Sequence, residues 1–177
     1  EKRSLNAGNR KKRRGIQLAK EAKTNVMRIL DAEGIRYRSF AYENKDGKID
    51  GLAVAQKLGQ DVKKVYKTLV TRGSSGGYFV FVVPVAEELN LKAAAKSVGE
   101  KSVAMIHVAE INRVTGYIRG GCSPVGMKKP YRTVIDRSCE GLDTMLVSGG
   151  RIGAQVELAP SDLIRLTGAG TAPIIQG

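Results

Sequence analysis

Val65-Tyr66-Lys67-Thr68-Leu69-Val70-Thr71 and Tyr78-Phe79-Val80-Phe81-Val82-Val83-Pro84-Val85 stand on either side of Gly73-Ser74-Ser75-Gly76-Gly77. Both flanks are short, rich in β-branched and aromatic residues and almost free of charge. With a Gly/Ser turn between them, they predict two buried strands joined as a hairpin. The apolar run from Tyr78 to Ala86 is far too short to span a bilayer as a helix. One residue breaks the pattern. Lys67 puts an ammonium inside an apolar strand, which costs free energy unless the group faces water or a partner. Two readings stay open: Lys67 points to solvent, or it stands at a pocket for an anionic or carbonyl-bearing ligand.

Working outward, Val26, Met27, Ile29 and Leu30 make a helical face after a Thr24 or Asn25 cap, and Gly34 ends it. Tyr37, Phe40 and Tyr42 suggest a strand, and Asn44 to Gly51 a polar turn region. Leu52, Ala55 and Leu58 suit a short helix stopped at Gly59. Beyond the hairpin, Leu91 to Val98 and Ala109 to Val114 read as helices, and Gly116 to Gly126 as an irregular glycine-rich loop. Thr133 to Ile135, Thr144 to Val147 and Gln155 to Leu158 read as strands. Pro160 to Leu166 reads as a last helix with Pro in its first turn. Helices and strands mix without βαβ alternation. The expected fold is α+β, with a mixed sheet curled into a partly closed barrel and helices at its periphery. No internal repeat is present.

Of 177 residues, 42% are apolar, enough for a real core and in keeping with a single domain. The net charge is +13, of which residues 1–23 carry +7 and the remainder +6. We expect residues 1–23, with Arg10-Lys11-Lys12-Arg13-Arg14, to be a basic, disordered arm and residues 24–177 to fold. The arm reads either as extra phosphate contact or as a solubilising tail. A basic body points to a polyanion, nucleic acid first, though many soluble proteins are basic without one.

Familiar catalytic sets are missing. There is one histidine, no GxSxG, no Walker A motif and no GxGxxG after a strand. His107 closes the run Val103 to Ile106 and reads more readily as a strand-end residue than as a base. Cys122 and Cys139 lie far apart without a CxxC partner, so no metal set is expected. Cys122 sits in a glycine-rich loop but has no neighbouring base to activate it. Unpaired thiols and no segment that reads as a signal peptide point to a reduced, cytoplasmic protein without a membrane partner. What remains is two glycine turns, Gly120-Gly121-Cys122-Ser123-Pro124-Val125-Gly126 and Ser148-Gly149-Gly150-Arg151-Ile152-Gly153. Such turns let backbone N–H groups approach a carbonyl oxygen or a phosphate; ordinary tight turns look the same.

Taken together, Tyr66-Lys67-Thr68-Leu69-Val70, then Thr115-Gly116-Tyr117 leading into Gly120-Gly121-Cys122-Ser123-Pro124, then Val147-Ser148-Gly149-Gly150-Arg151 resemble the YbaK/EbsC family. That family is related to the editing domain inserted in bacterial prolyl-tRNA synthetase. The resemblance runs over about residues 24–168 with the motifs in order. It implies a mixed α/β fold and trans-editing of misacylated tRNA, with removal of cysteine from Cys-tRNA(Pro), and also from Cys-tRNA(Cys), as the expected activity. It further implies Lys67 as the pocket lysine, with Tyr42, Gly120, Gly121, Ser123, Pro124, Ser148 and Gly149 binding substrate. No cofactor is implied. Misacylated tRNA(Pro) is the implied partner, with prolyl-tRNA synthetase a further one. The chemistry implied is substrate-assisted: the substrate thiol attacks its own ester, so the enzyme needs no nucleophile. Cys122 stands where the family often has an aliphatic residue, a small hydrophobe for another. A deacylase for another small amino acid, as in Ala-tRNA(Pro), and a non-catalytic tRNA-binding or regulatory protein are the alternatives.

Overall fold

The computed structural model describes residues 23–177, so all but the last residue of the expected basic arm lies outside the described residues. Thr24 caps α1 (Asn25–Ala32), its Oγ1 accepting the Met27 N–H at 3.2 Å. After β1 (Tyr37–Ala41) and a polar loop, Asp50 caps α2 (Gly51–Leu58) by accepting the Ala53 N–H at 3.0 Å. A single 3₁₀ turn, Val62–Lys64, leads into β2 (Tyr66–Gly73) and β3 (Tyr78–Pro84). Then follow α3 (Leu91–Ser97), β4 (Val103–Met105), α4 (Val108–Thr115) and, after the glycine-rich loop, β5 (Arg132–Asp136). A 3₁₀ segment, Arg137–Gly141, precedes β6 (Met145–Ser148) and β7 (Ala154–Leu158). The described chain ends with α5 (Pro160–Thr167) and a short β8 (Gly170–Ala172). No helix among the described residues is long and apolar enough to cross a membrane.

The expected hairpin is there: β2 and β3 pair antiparallel, Tyr66 opposite Pro84 and Arg72 opposite Tyr78. They are the second and third strands of a five-stranded mixed sheet, ordered β4-β2-β3-β5-β8, with β5 parallel to β3 and β8 parallel to β5. The run of apolar residues in β3 is uninterrupted because both faces of the sheet are covered. Val82 faces a core shared with α1, α5 and the strands β6 and β7. Phe81 and Val83 face a second core under α3, with Ala94, Ala95 and Ile174. Full burial of side chains such as Phe81 and Val82 is worth about 1.5–3 kcal/mol each relative to exposure.

The remaining strands form a separate three-stranded antiparallel sheet, ordered β1-β7-β6. The fold is therefore α+β with a mixed sheet, but the expected curling into a partly closed barrel is corrected: both sheets are open. They touch at one isolated parallel bridge, Val65 to Leu146. At the same residue the Val65 carbonyl takes the Val85 N–H at 2.9 Å, so the bridge stands where the hairpin begins. A third apolar cluster, Ala55, Val65, Val85 and Leu146 with Phe40 and Leu58, seats α2 at that point. Beyond the bridge the two sheets part, and the gap between them is a cavity.

Candidate active site

The cavity holds about 500 Å³ and is lined from both sheets. Lys67 and Thr68 enter from β2; Ser148, the last residue of β6, and Gln155, its register partner on β7, enter from the other side. Tyr42, just past β1, is held by its N–H on the Gly153 carbonyl at 3.0 Å. Gly47, Ile49 and Asp50 line it from the loop after β1, and Arg119, Gly120 and Cys122 from the glycine-rich loop.

Lys67 is half-buried in this wall, and among the described residues no hydrogen-bond acceptor or carboxylate takes its ammonium. Three further polar atoms are buried without a partner: Tyr42 Oη, Thr68 Oγ1 and Gln155 Oε1. All three belong to residues that line this cavity. Leaving a buried polar atom unpaired costs about 1–3 kcal/mol, so native folds rarely tolerate it without use. Here the lapses are concentrated at one place, beside an unpaired cation. That is the pattern of a surface shaped for a polar ligand. Ser148 Oγ accepts the Gly150 N–H at 3.2 Å, which leaves its own proton free to point into the cavity.

The structure thus brings Tyr42, Lys67, Gly120 and Ser148 to one cavity. It sets Gly121, Ser123, Pro124 and Gly149 behind the wall. Ser123 is fully buried and accepts the Val125 N–H at 3.3 Å, and Pro124 is buried beside it. Gly149 donates to the Ala154 carbonyl at 2.8 Å and so closes the turn from β6 to β7. At Gly121 a Cβ would lie 2.8 Å from the Ile152 nitrogen, so the two glycine turns meet backbone to backbone. Thr115 and Tyr117 pin the loop from below. Thr115 Oγ1 accepts the Tyr117 N–H at 3.0 Å, and Tyr117 Oη donates to the Val125 carbonyl. Burial, with Cys122 nearby, pushes the Tyr117 phenol up to about 12.

No enzyme nucleophile is prepared here. Burial pushes the Cys122 thiol up to about 11, against a weaker opposing hydrogen bond with Thr115, so it stays protonated near neutrality. Cys139 is fully buried in the main core, and burial raises it likewise to about 11. His107 is exposed at the start of α4, away from the cavity lining. Among the described residues, no three His, Cys, Asp or Glu side chains gather to hold a metal ion. Sequence reasoning missed Thr68, Gln155, Arg119 and Ile49. None of the four carried a usable signal: Gln155, for one, alternates with Val156, Glu157 and Leu158 as in any half-buried strand.

Comparison with known proteins gives a consistent picture. A family model described as the aminoacyl-tRNA editing domain matches residues 51–166. EbsC of Enterococcus faecalis, assigned by its name as a Cys-tRNA(Pro)/Cys-tRNA(Cys) deacylase, is 38% identical over 154 residues, spanning 87% of this chain and 94% of that protein. A proline–tRNA ligase of Fervidobacterium nodosum is 32% identical over 96 residues, 54% of this chain but 16% of the ligase. A solved structure described as a candidate trans-editing enzyme for prolyl-tRNA synthetase superposes with a TM-score of 0.73 at 25% identity, covering 88% of this chain and all of that one. A hypothetical protein superposes with a TM-score of 0.79 at 26% identity, over 86% of this chain and all of its own.

Proposed function

Since this chain belongs to the aminoacyl-tRNA editing domain family, we propose that it is a trans-editing deacylase that removes cysteine from Cys-tRNA(Pro), and also from Cys-tRNA(Cys). The observation that carries this reading is the cavity between the sheets. Among the described residues, an unpaired ammonium and three unpartnered polar atoms converge there, and no activated nucleophile stands with them. A site of this kind positions a substrate and stabilises charge while the substrate supplies its own attack.

In the reaction we propose, the aminoacyl ester lies in the cavity and its carbonyl oxygen faces Lys67. The thiol sulfur of the substrate cysteine attacks its own carbonyl carbon. A carbon–sulfur bond forms, the bond from that carbon to the ribose oxygen breaks, and the thiol proton ends on the ribose oxygen. The products are a cyclic thioester of cysteine and free tRNA. Lys67 offsets the negative charge that builds on the carbonyl oxygen in the transition state. Tyr42, Thr68, Ser148 and Gln155 orient the acyl group through hydrogen bonds, while Gly121, Ser123, Pro124 and Gly149 support the wall that presents Gly120 and Ser148.

We assign residues 24–177 as the deacylase domain and residues 1–23 as an arm that adds phosphate contacts. Misacylated tRNA(Pro) is the partner, and a prolyl-tRNA synthetase that releases it is a second. The setting is the cytoplasm, where tRNA is charged. Deacylation of Cys-, Ala- and Pro-tRNA(Pro) and of Cys-tRNA(Cys) tests the assignment. Cysteinyl esters should be cleared and the others spared, and Cys122→Ala should retain the single-turnover rate. Preferential clearance of Ala-tRNA(Pro) would move the protein to another specificity. Collapse of the rate in Cys122→Ala would require an enzyme thiol, and absence of all deacylation would leave a binding protein.

A further inference from the structure

The loop between β1 and α2 walls the cavity with Gly47, Ile49 and Asp50, yet residues 43–48 are all exposed and bring nothing to an apolar core. One side chain holds the loop in place. Lys57, in the last turn of α2, donates to the Glu43 carbonyl at 2.7 Å, to Asp46 Oδ1 at 2.8 Å and to the Lys48 carbonyl at 2.8 Å. Those three bonds use all three ammonium protons. Its Nζ also lies 5.9 Å from the centre of the Tyr42 ring, itself a cavity residue. Inside the loop, Gly47 N–H reaches the Asn44 carbonyl at 3.0 Å and Lys48 N–H reaches Asp46 Oδ1 at 3.0 Å. The clasp therefore grips a turn that is already folded on itself. An isolated exposed ion pair contributes little. Here one cation ties three points of a segment that has no apolar anchor of its own. The helix that carries it is fixed at the seam between the sheets through Ala55 and Leu58.

The clasp has a consequence inside the cavity. Ile49 follows directly on the clasped turn, and its Cδ1 lies 2.7 Å from where a Cβ on Gly120 would be. The loop thus meets the glycine turn that also lines the cavity, with Ile49 as the point of contact. A pocket that selects by volume depends on how firmly such a wall is held, because a wall that yields admits a longer chain.

We propose that loop 43–50 is a latched wall that limits the size of the acyl side chain admitted, with Ile49 as its selective contact and Lys57 as the positioning residue. The proposal rests on the reading of this cavity as the aminoacyl site. Its test uses binding of non-hydrolysable aminoacyl-amide analogues of the tRNA 3′-terminal adenosine, one bearing cysteine and one bearing methionine, together with amide hydrogen exchange. Wild-type protein should prefer the cysteinyl analogue. Lys57→Met should shrink that preference about tenfold, by tightening the methionyl analogue or weakening the cysteinyl one, and Lys57→Arg should restore most of it. In Lys57→Met the amides of Gly47 and Lys48 should exchange at least about tenfold faster, with α2 unchanged. Should Lys57→Met fail to fold, Ile49→Ala, which enlarges the wall without touching the clasp, should lower the same preference. Unchanged exchange in the loop would overturn the latch, and unchanged preference in both Lys57→Met and Ile49→Ala would overturn the selective wall. If wild-type protein binds neither analogue, the aminoacyl reading of the cavity falls and the proposal with it, whereas a loss confined to the variants leaves that reading standing.

Discussion

An ammonium in a half-buried wall with no counter-charge is a local loss that the rest of the fold must offset. Among the described residues Lys67 is such a group, and the unpaired atoms of Tyr42, Thr68 and Gln155 lie along the same cavity. Removing the charge should relieve the protein while disabling the reaction. Lys67→Ala is expected to leave the thermal midpoint unchanged or slightly raised and to lower single-turnover deacylation about 10²–10³-fold, the usual scale for losing one group that stabilises charge in a transition state. Activity near wild type in a folded Lys67→Ala would return Lys67 to a solvent-facing role. Lys67 was legible in the sequence because a charge inside an apolar run conflicts with burial wherever the strand lies. Thr68 and Gln155 were not. Uncharged polar residues are common in strands, and which of them meets a cavity is decided by strand pairing across dozens of residues. Ser123 and Pro124 show the converse: the glycine-rich loop was located correctly, but its backbone path turns Ser123 inward to cap Val125.

At the scale of elements, the helices and the hairpin were legible because each rests on local signals: a cap at Thr24, glycine stops at Gly34 and Gly59, an unbroken run of β-branched and aromatic residues in β3, a glycine turn. The partition into two sheets was not. Nothing in the apolar pattern of β2 or β6 says that their ladder stops after one bridge. β8 escaped notice for a related reason, since three residues beginning with Gly170 carry no strand pattern and gain one only from lying parallel to β5. The two glycine turns meet backbone to backbone beside the cavity. Gly121→Ala would drive a methyl group to within 2.8 Å of the Ile152 nitrogen, a backbone atom that cannot step aside as a side chain would. We expect it to destabilise the fold by about 1–3 kcal/mol, as overpacking does, and to lower deacylation beyond what stability explains. Chemical denaturation beside single-turnover rates on folded protein would separate the two effects. A stable and fully active Gly121→Ala would mean that the turns can part without consequence for the cavity.

The core of the described residues contains ionisable groups kept neutral by burial, and the proposed encounter with tRNA rests on charge. Burial raises the Tyr66 phenol to about 12 from an ordinary value of 10, although its hydrogen bond with Ser138 works the other way. Burial likewise raises Cys139 to about 11 from 9. Both pKa values are higher in the folded state, so their stabilisation is whole below about pH 9 and declines as the pH rises through 11 and 12, where the unfolded chain ionises more readily. Tyr66→Phe with Cys139→Ala should therefore flatten the loss of thermal stability between pH 9 and 12; an unaltered slope would exclude these groups as its cause. Association with tRNA follows a different charge distribution. Residues 24–177 carry +6, and residues 1–23 add +7. Each phosphate neutralised releases counterions, so affinity should fall steeply with salt. In the proposed complex the body, with Arg119 among the cavity residues, is expected to fix where the acceptor end lies, and residues 1–22 to add attraction. Deleting residues 1–22 spares the ion pair of Lys23 with Asp31, and so spares the cap region of α1. That truncation should weaken binding at low salt and flatten the salt dependence, yet leave the deacylation rate at saturating tRNA close to that of the full chain. Equal salt slopes for the two proteins would show that the arm does not touch tRNA, and a collapsed saturating rate would show that it helps build the site.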